Sequence, residues 1–196
     1  MYKCIIMAGG KGSRLGYVEK PLLEIKGKKM IERVVQAVKE TKKINVIKIA
    51  VSKWTPKTKE WAKRNRIHTL DTQGKGYVND LREILNKLDG KIIVLPSDIP
   101  YITAEIIENT IEIYEKTEIP AISVVVSGKF KESVGLIAKD EMEYTGFNIV
   151  DSNFKEEMPQ KNICMDRLEV AINVNTFIDL MHARLWRNEL EESICK

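Results

Sequence analysis

Short apolar runs rich in Ile and Val recur along the chain at Tyr2 to Ala8, Val46 to Val51, Lys91 to Leu95 and Ile119 to Val126. Runs of this length bounded by turn residues read as strands, and the first three read as buried ones. Between them lie segments with apolar residues at helical spacing: Met30 to Glu40, where Ile31, Val34, Val35 and Val38 share a face, then Pro56 to Asn65 and Tyr77 to Leu88. Strand alternating with helix predicts an α/β fold, a three-layer αβα sandwich around a mainly parallel central sheet. Such sheets bind ligands beyond the carboxyl ends of their strands, which places a site after Ala8, Val51, Leu70 and Leu95.

Past residue 119 the pattern changes to shorter extended candidates at Ser133 to Ala138, Tyr144 to Val150 and Arg167 to Ile172, followed by a helix from Thr176 to about Glu192. These predict mixed or antiparallel strands added to the sheet. No internal repeat, low-complexity tract or linker divides the 196 residues, so the expectation is a single domain over 1–196. The segment Ser152 to Lys161, with Asn153, Glu156, Glu157 and Pro159, reads equally as a mobile loop or a plain surface connection.

Composition narrows the class. Hydrophobic residues are 43% and charged residues 31%, and no run approaches the roughly 18 apolar residues of a membrane span. The opening run has no basic lead and no small-residue cleavage site, so the expected location is the cytoplasm. Cys4, Cys164 and Cys195 are odd in number and far apart, which suits neither a disulfide framework nor a CxxC metal site. Net charge is +4, spread without a block of like charges; nucleic acid is not demanded, and polyanionic small molecules suit such a field. The two histidines, His68 and His182, adjoin no candidate nucleophile, and there is no GxSxG elbow, which argues against a Ser-His-Asp hydrolase.

The first candidate site is Ala8-Gly9-Gly10-Lys11-Gly12-Ser13-Arg14-Leu15-Gly16, directly after the first strand. Glycines let backbone amides approach an anion and form a concavity for it, and Lys11 and Arg14 add positive charge. Neither the Walker spacing nor the dinucleotide GxGxxG spacing is met, so the motif is a different phosphate loop or a purely geometric turn. Lys20-Pro21 adds another cation shortly after. Asp98 ends the strand Lys91 to Leu95 at the same rim, as a magnesium ligand or as a cap of the helix beginning near Thr103. Asp71-Thr72-Gln73-Gly74-Lys75-Gly76-Tyr77 forms a second glycine turn ahead of a helix, suited to an anion, a base edge or a simple connection. Asn173 and Asn175 precede Thr176, where Asn175 serves as a ligand group or either Asn175 or Thr176 caps the last helix.

The string Ala8-Gly9-Gly10-x-Gly12-Ser13-Arg14-Leu15 with Lys20-Pro21 resembles the signature of the nucleotidyltransferases related to molybdopterin guanylyltransferase and the sugar-phosphate nucleotidyltransferases. Many of those have Thr where this chain has Ser13. Asp98-Ile99-Pro100 and Asn173-Val174-Asn175-Thr176 fit the same family. Asp71-Thr72-x-Gly74-Lys75-Gly76-Tyr77 with Asp80-Leu81, together with Val18-Glu19-Lys20-Pro21 and Thr55-Pro56-Lys57-Thr58-Lys59-Glu60, resembles the archaeal-type adenosylcobinamide-phosphate guanylyltransferases within it. Little between about 120 and 170 carries the resemblance.

The resemblance implies a Rossmann-like nucleotidyltransferase fold, with 1–118 as a nucleotide-binding half and 119–196 as an acceptor-binding half. It implies GTP as donor, adenosylcobinamide phosphate as a phosphorylated acceptor and Mg2+ on Asp98. Lys11, Arg14 and Lys20 become the catalytic cations. Ala8, Gly9, Gly10, Gly12, Ser13, Thr72, Gly74, Lys75, Gly76 and Asn175 become the nucleotide-binding set. Guanine preference is inherited from the resemblance alone, and a homodimer is left open.

Overall fold

A computed structural model describes residues 1–154 and 159–186. The elements in chain order are β1 (Tyr2–Met7), β2 (Glu24–Ile25), β3 (Lys28–Lys29), α1 (Met30–Glu40), β4 (Ile44–Ser52), α2 (Pro56–Arg64), β5 (His68–Thr72), α3 (Tyr77–Leu85), β6 (Lys91–Pro96), α4 (Ala104–Glu115), β7 (Ala121–Ser127), α5 (Gly128–Ser133), β8 (Met142–Asp151), β9 (Gln160–Cys164), α6 (Leu168–Ala171) and α7 (Phe177–Leu185). Seven strands form one sheet in the order β5-β4-β1-β6-β8-β7-β9, and β2 and β3 form a separate ribbon. β1 pairs in parallel with β4 and β6, β4 with β5, and β7 with β9; β8 runs antiparallel to both β6 and β7. The sheet is α/β and mostly parallel, with β8 as its one reversed strand.

Alternation along the strands decides which side each residue packs. Cys4 and Ile6 of β1, Ile49 and Val51 of β4, Ile93 and Leu95 of β6 and Phe147 and Ile149 of β8 join α1 and α4 in the main core. On the opposite side Ile5, Ala50, Ile92 and Val94 meet Ile84 of α3. Each buried Ile or Leu side chain contributes roughly 1.5–3 kcal/mol of burial free energy. Among the described residues no helix is long and apolar enough to cross a membrane.

The two extended candidates at Ser133 to Ala138 and Arg167 to Ile172 take other forms. The first is the end of the short helix α5 and the turn after it: the Ser127 hydroxyl accepts the Phe130 amide at 3.1 Å, and this cap starts a helix just upstream of the apolar run. The second is the helical turn α6, whose Val170 and Ala171 pack into the main core. Strand β9 arises from the polar run Gln160–Cys164, whose first two residues lie in the segment read above as a mobile loop or a surface connection. Thr176 caps α7, which is described to Leu185; the expected continuation to Glu192, together with Glu156, Glu157 and Cys195, lies outside the described residues.

Candidate functional site

The carboxyl ends of β1, β4, β5 and β6 converge on one rim, as parallel pairing in register requires: Met7 lies opposite Ala50 and Pro96, and Ser52 opposite Thr72. A cavity of 450 Å3 opens there, lined by Ala8, Gly9, Gly10 and Lys11 from the first glycine loop, by Lys20, Thr72, Gly74 and Gly76, and by Asp98 and Asn175. Gly12, Ser13, Arg14 and Lys75 do not line it. Ser13 and Arg14 belong to a single 3-10 turn, Ser13–Leu15, on the outer part of the loop.

The first loop is fastened to the sheet by its backbone. The Ala8 amide donates to the Ala50 carbonyl at 2.9 Å, and the Ser52 hydroxyl donates to the Gly9 carbonyl at 2.7 Å. Gly12 adopts φ +65°, and a Cβ there would fall 2.1 Å from the Val18 carbonyl oxygen, so the loop closes only with glycine at that position. Lys11 carries its ammonium 4.8 Å from the Trp54 ring and 5.3 Å from the Tyr17 ring, a cation held over two aromatic faces at the cavity mouth.

Lys20 and Asp98 form the centre of the site. The Lys20 ammonium donates to Asp98 Oδ2 at 2.5 Å, to Asn175 Oδ1 at 3.1 Å and to the Val174 carbonyl at 3.2 Å, which employs all three of its donors. Both side chains are largely shielded, at 17% and 14% exposure. The other oxygen, Asp98 Oδ1, is buried and has no hydrogen-bond partner among the described residues. A buried carboxylate oxygen left unpaired is costly, and a divalent cation is a group that satisfies it. Capping does not account for Asp98, because Thr103 caps α4 by accepting the Ile106 amide.

Several elements position this pair. The Asp98 carbonyl accepts the Val174 amide at 2.9 Å, which ties the end of β6 to the Asn173–Thr176 segment. Asn175 also donates to Asn173 Oδ1 at 2.9 Å, while Thr176 and Asp179 form a reciprocal cap on α7. The alternatives for this segment therefore divide between two residues: Thr176 is the cap, and Asn175 faces the cavity. Glu19, beside Lys20, accepts from the Lys57 and Thr58 amides and the Thr58 hydroxyl at 2.7–2.9 Å, satisfying the first turn of α2 and anchoring the Lys20-Pro21 step.

The second glycine turn is held from within. The Gly74 and Lys75 amides donate to the buried Asp80 carboxylate at 3.0 and 3.2 Å, so these donors already have an anion of the protein's own. Gly74, at φ +68°, lies against Trp54, where a Cβ would come within 2.8 Å of the ring, and its carbonyl accepts the indole N–H. Tyr77 reaches across to β8, its hydroxyl donating to the Gly146 carbonyl at 2.9 Å and accepting from Asn148 at 3.0 Å. Burial pushes that hydroxyl well above the ordinary tyrosine range, opposed by the bond from Asn148 and assisted by the charge of Asp98, so it remains a neutral donor.

Glu19, Asp80 and Tyr77 carry structural duties that the sequence reading left unassigned. Asp80 had a local signal, an acid in the first turn of a helix following a glycine turn. Glu19 had none, since its partners lie 38 and 39 positions away.

Comparison with known proteins gives the family and the fold. The chain is 33% identical over 191 residues to adenosylcobinamide-phosphate guanylyltransferase of Methanocaldococcus jannaschii, covering 92% of this chain and 95% of that one. It is 26% identical to a probable molybdenum cofactor guanylyltransferase of Natranaerobius thermophilus, covering 95% and 97%. Among solved structures, a CMP-2-keto-3-deoxy-manno-octonic acid synthetase complexed with CTP superposes with a TM-score of 0.69 at 15% identity, covering 93% of this chain and 96% of that one, a likeness of fold alone. Residues 4–150 match the MobA-like NTP transferase domain, and the chain belongs to that family of nucleotidyltransferases.

Proposed function

We propose that this chain transfers GMP from GTP to adenosylcobinamide phosphate, giving adenosylcobinamide-GDP and pyrophosphate. The relative that shares 33% identity across 92% of the chain carries that activity in its name, and the second glycine turn carries the same resemblance. The observation on which the reading rests is the Lys20–Asp98 pair with the unpartnered Oδ1, set between two glycine loops.

In the proposed reaction an oxygen of the acceptor's phosphate attacks the α-phosphorus of GTP. A P–O bond forms there as the bond to the β-phosphate bridging oxygen breaks, and pyrophosphate leaves with that electron pair. The attacking oxygen is already anionic, so no general base is required. The chain's residues then have two tasks, in-line positioning and charge neutralisation. Gly9, Gly10 and Lys11 would hold the triphosphate, and Lys20 would face the α-phosphate by exchanging one of its present partners for a phosphoryl oxygen. Asn175 would keep Lys20 and Asp98 aligned.

Asp98 would hold Mg2+, completed by phosphate oxygens and waters; no cluster of three or more His, Cys, Asp or Glu able to hold a metal occurs among the described residues. Bound there, the ion supplies neutralisation of charge on the phosphoryl oxygens. Arg14, outside the cavity lining, would act at the loop's outer edge.

The experiment is pyrophosphate release from GTP with Mg2+ and a panel of adenosylcobinamide phosphate, molybdopterin and glucose 1-phosphate. The reading predicts Mg2+-dependent release with GTP and the first acceptor, abolished by EDTA. Preferred use of molybdopterin would favour the alternative, which the similarity to the molybdenum cofactor relative supports.

A further inference from the structure

Next to the nucleotide cavity lies a second, larger one. On β7 and β8, Ala121, Tyr144, Gly146, Asn148 and Val150 face away from the main core, uncharged residues on the side of the sheet that carries α3. Together with Val78, Leu81 and Leu85 of α3 they wall a groove of 680 Å3. Tyr77 lines both cavities, and its bond to Gly146 spans the boundary between them.

Three observations define what fits this groove. It is larger than the neighbouring 450 Å3 cavity, so a compact sugar phosphate would leave most of it empty. Among the described residues its lining is nearly neutral, with Arg82 as the one charged side chain. Val78, Tyr144 and Phe154 stand 65%, 63% and 52% exposed around it, a concentration of apolar surface that scattered exposed residues do not produce. Its polar groups are neutral hydrogen-bonders: Asn148, whose amide donates to Tyr77 and Gly146, and Gln160, which donates to the Ser123 hydroxyl at 2.7 Å.

We infer that this groove seats the body of the acceptor, a bulky, largely apolar and uncharged group whose phosphate reaches past Tyr77 to the α-phosphate site. The inference rests on the nucleotidyl-transfer reading above and adds the acceptor's shape and polarity. It assigns specificity to Val78, Leu81, Tyr144 and Asn148, none of which belongs to either glycine loop.

The test is steady-state kinetics of Val78→Arg and Tyr144→Ala, both at exposed positions where folding is preserved, alongside the wild type and the acceptor panel. The expected result is a KM for the bulky acceptor raised at least about tenfold, while the KM for GTP, the thermal midpoint and the sedimentation behaviour stay unchanged. Unchanged acceptor KM in both variants overturns the groove while leaving guanylyl transfer intact. A shift in oligomeric state with unchanged acceptor KM also overturns it, marking the face as a contact between copies. A raised KM for molybdopterin, with adenosylcobinamide phosphate unused by the wild type, sinks the corrinoid reading and keeps the groove. Turnover with none of the three leaves neither standing.

Discussion

Around the ends of β1 and β6 charged groups are tied to one another, whereas the side of β7 and β8 that faces α3 presents uncharged groups, bonded among themselves, along a groove. Lys20 spends three hydrogen bonds on Asp98, Asn175 and Val174, and Asp80 holds two amides of the second glycine turn. Such a network holds these groups in fixed relative positions, as transfer at phosphorus needs. The groove is fixed mainly by its sheet floor and by α3, which suits a body recognised by shape more than by directed bonds. On the proposed reading the two cavities divide the work: chemistry in the bonded pocket, choice of acceptor in the groove beside it.

The strongest way to break this contrast is at Asp98. Asp98→Ala should lower turnover by about a thousandfold or more, since it removes the carboxylate assigned to the metal, worth several kcal/mol at about tenfold per 1.4 kcal/mol. Circular dichroism should show the fold retained, and wild-type turnover would refute the assignment. Next is Lys20→Met, expected to lower kcat by about a hundredfold, as loss of one charge-stabilising donor commonly does, with a smaller change in KM for GTP. A change confined to KM would make Lys20 a binding group only.

Asp80→Ala sharpens the comparison by separating loop order from chemistry. It should raise the KM for GTP by about tenfold, the equivalent of the roughly 1–3 kcal/mol attached to unsatisfied buried partners, and Asp80→Asn should restore part of it by keeping one acceptor oxygen. An equal effect from both variants would contradict a role through the Gly74 and Lys75 amides. The smallest effect is expected at Thr176→Val, which removes the cap of α7 at a cost of about 1 kcal/mol and a fall of about 2–4 °C in thermal midpoint. Activity should change little, because Asn175 and not Thr176 lines the cavity.

Much of the rim that lines the 450 Å3 cavity was legible from the chain, because its signals are local. A buried strand followed at once by Gly9, Gly10, Lys11 and Gly12, and another ending in Asp98, determine both the sheet edge and the residues on it. Met30 to Glu40 was read to the residue because its apolar spacing and its burial coincide. The second half resisted for a physical reason: β9 is polar and made by pairing with β7, and α6 is a single turn whose apolar residues imitate a strand. The groove was hidden too, since it depends on what α3 leaves uncovered. Arg14 and Lys75 are cations of the two glycine motifs that do not line the cavity, which spacing in the sequence does not reveal.

The central claim is that the glycine loops and the Lys20–Asp98 pair grip a triphosphate. Its most direct test is a crystal structure with GTP and Mg2+. The account predicts phosphates against Gly9 to Gly12 and the ion on Asp98 Oδ1, with Lys20 turned to the α-phosphate. A nucleotide bound elsewhere, with Asp98 still paired only to Lys20, would contradict it.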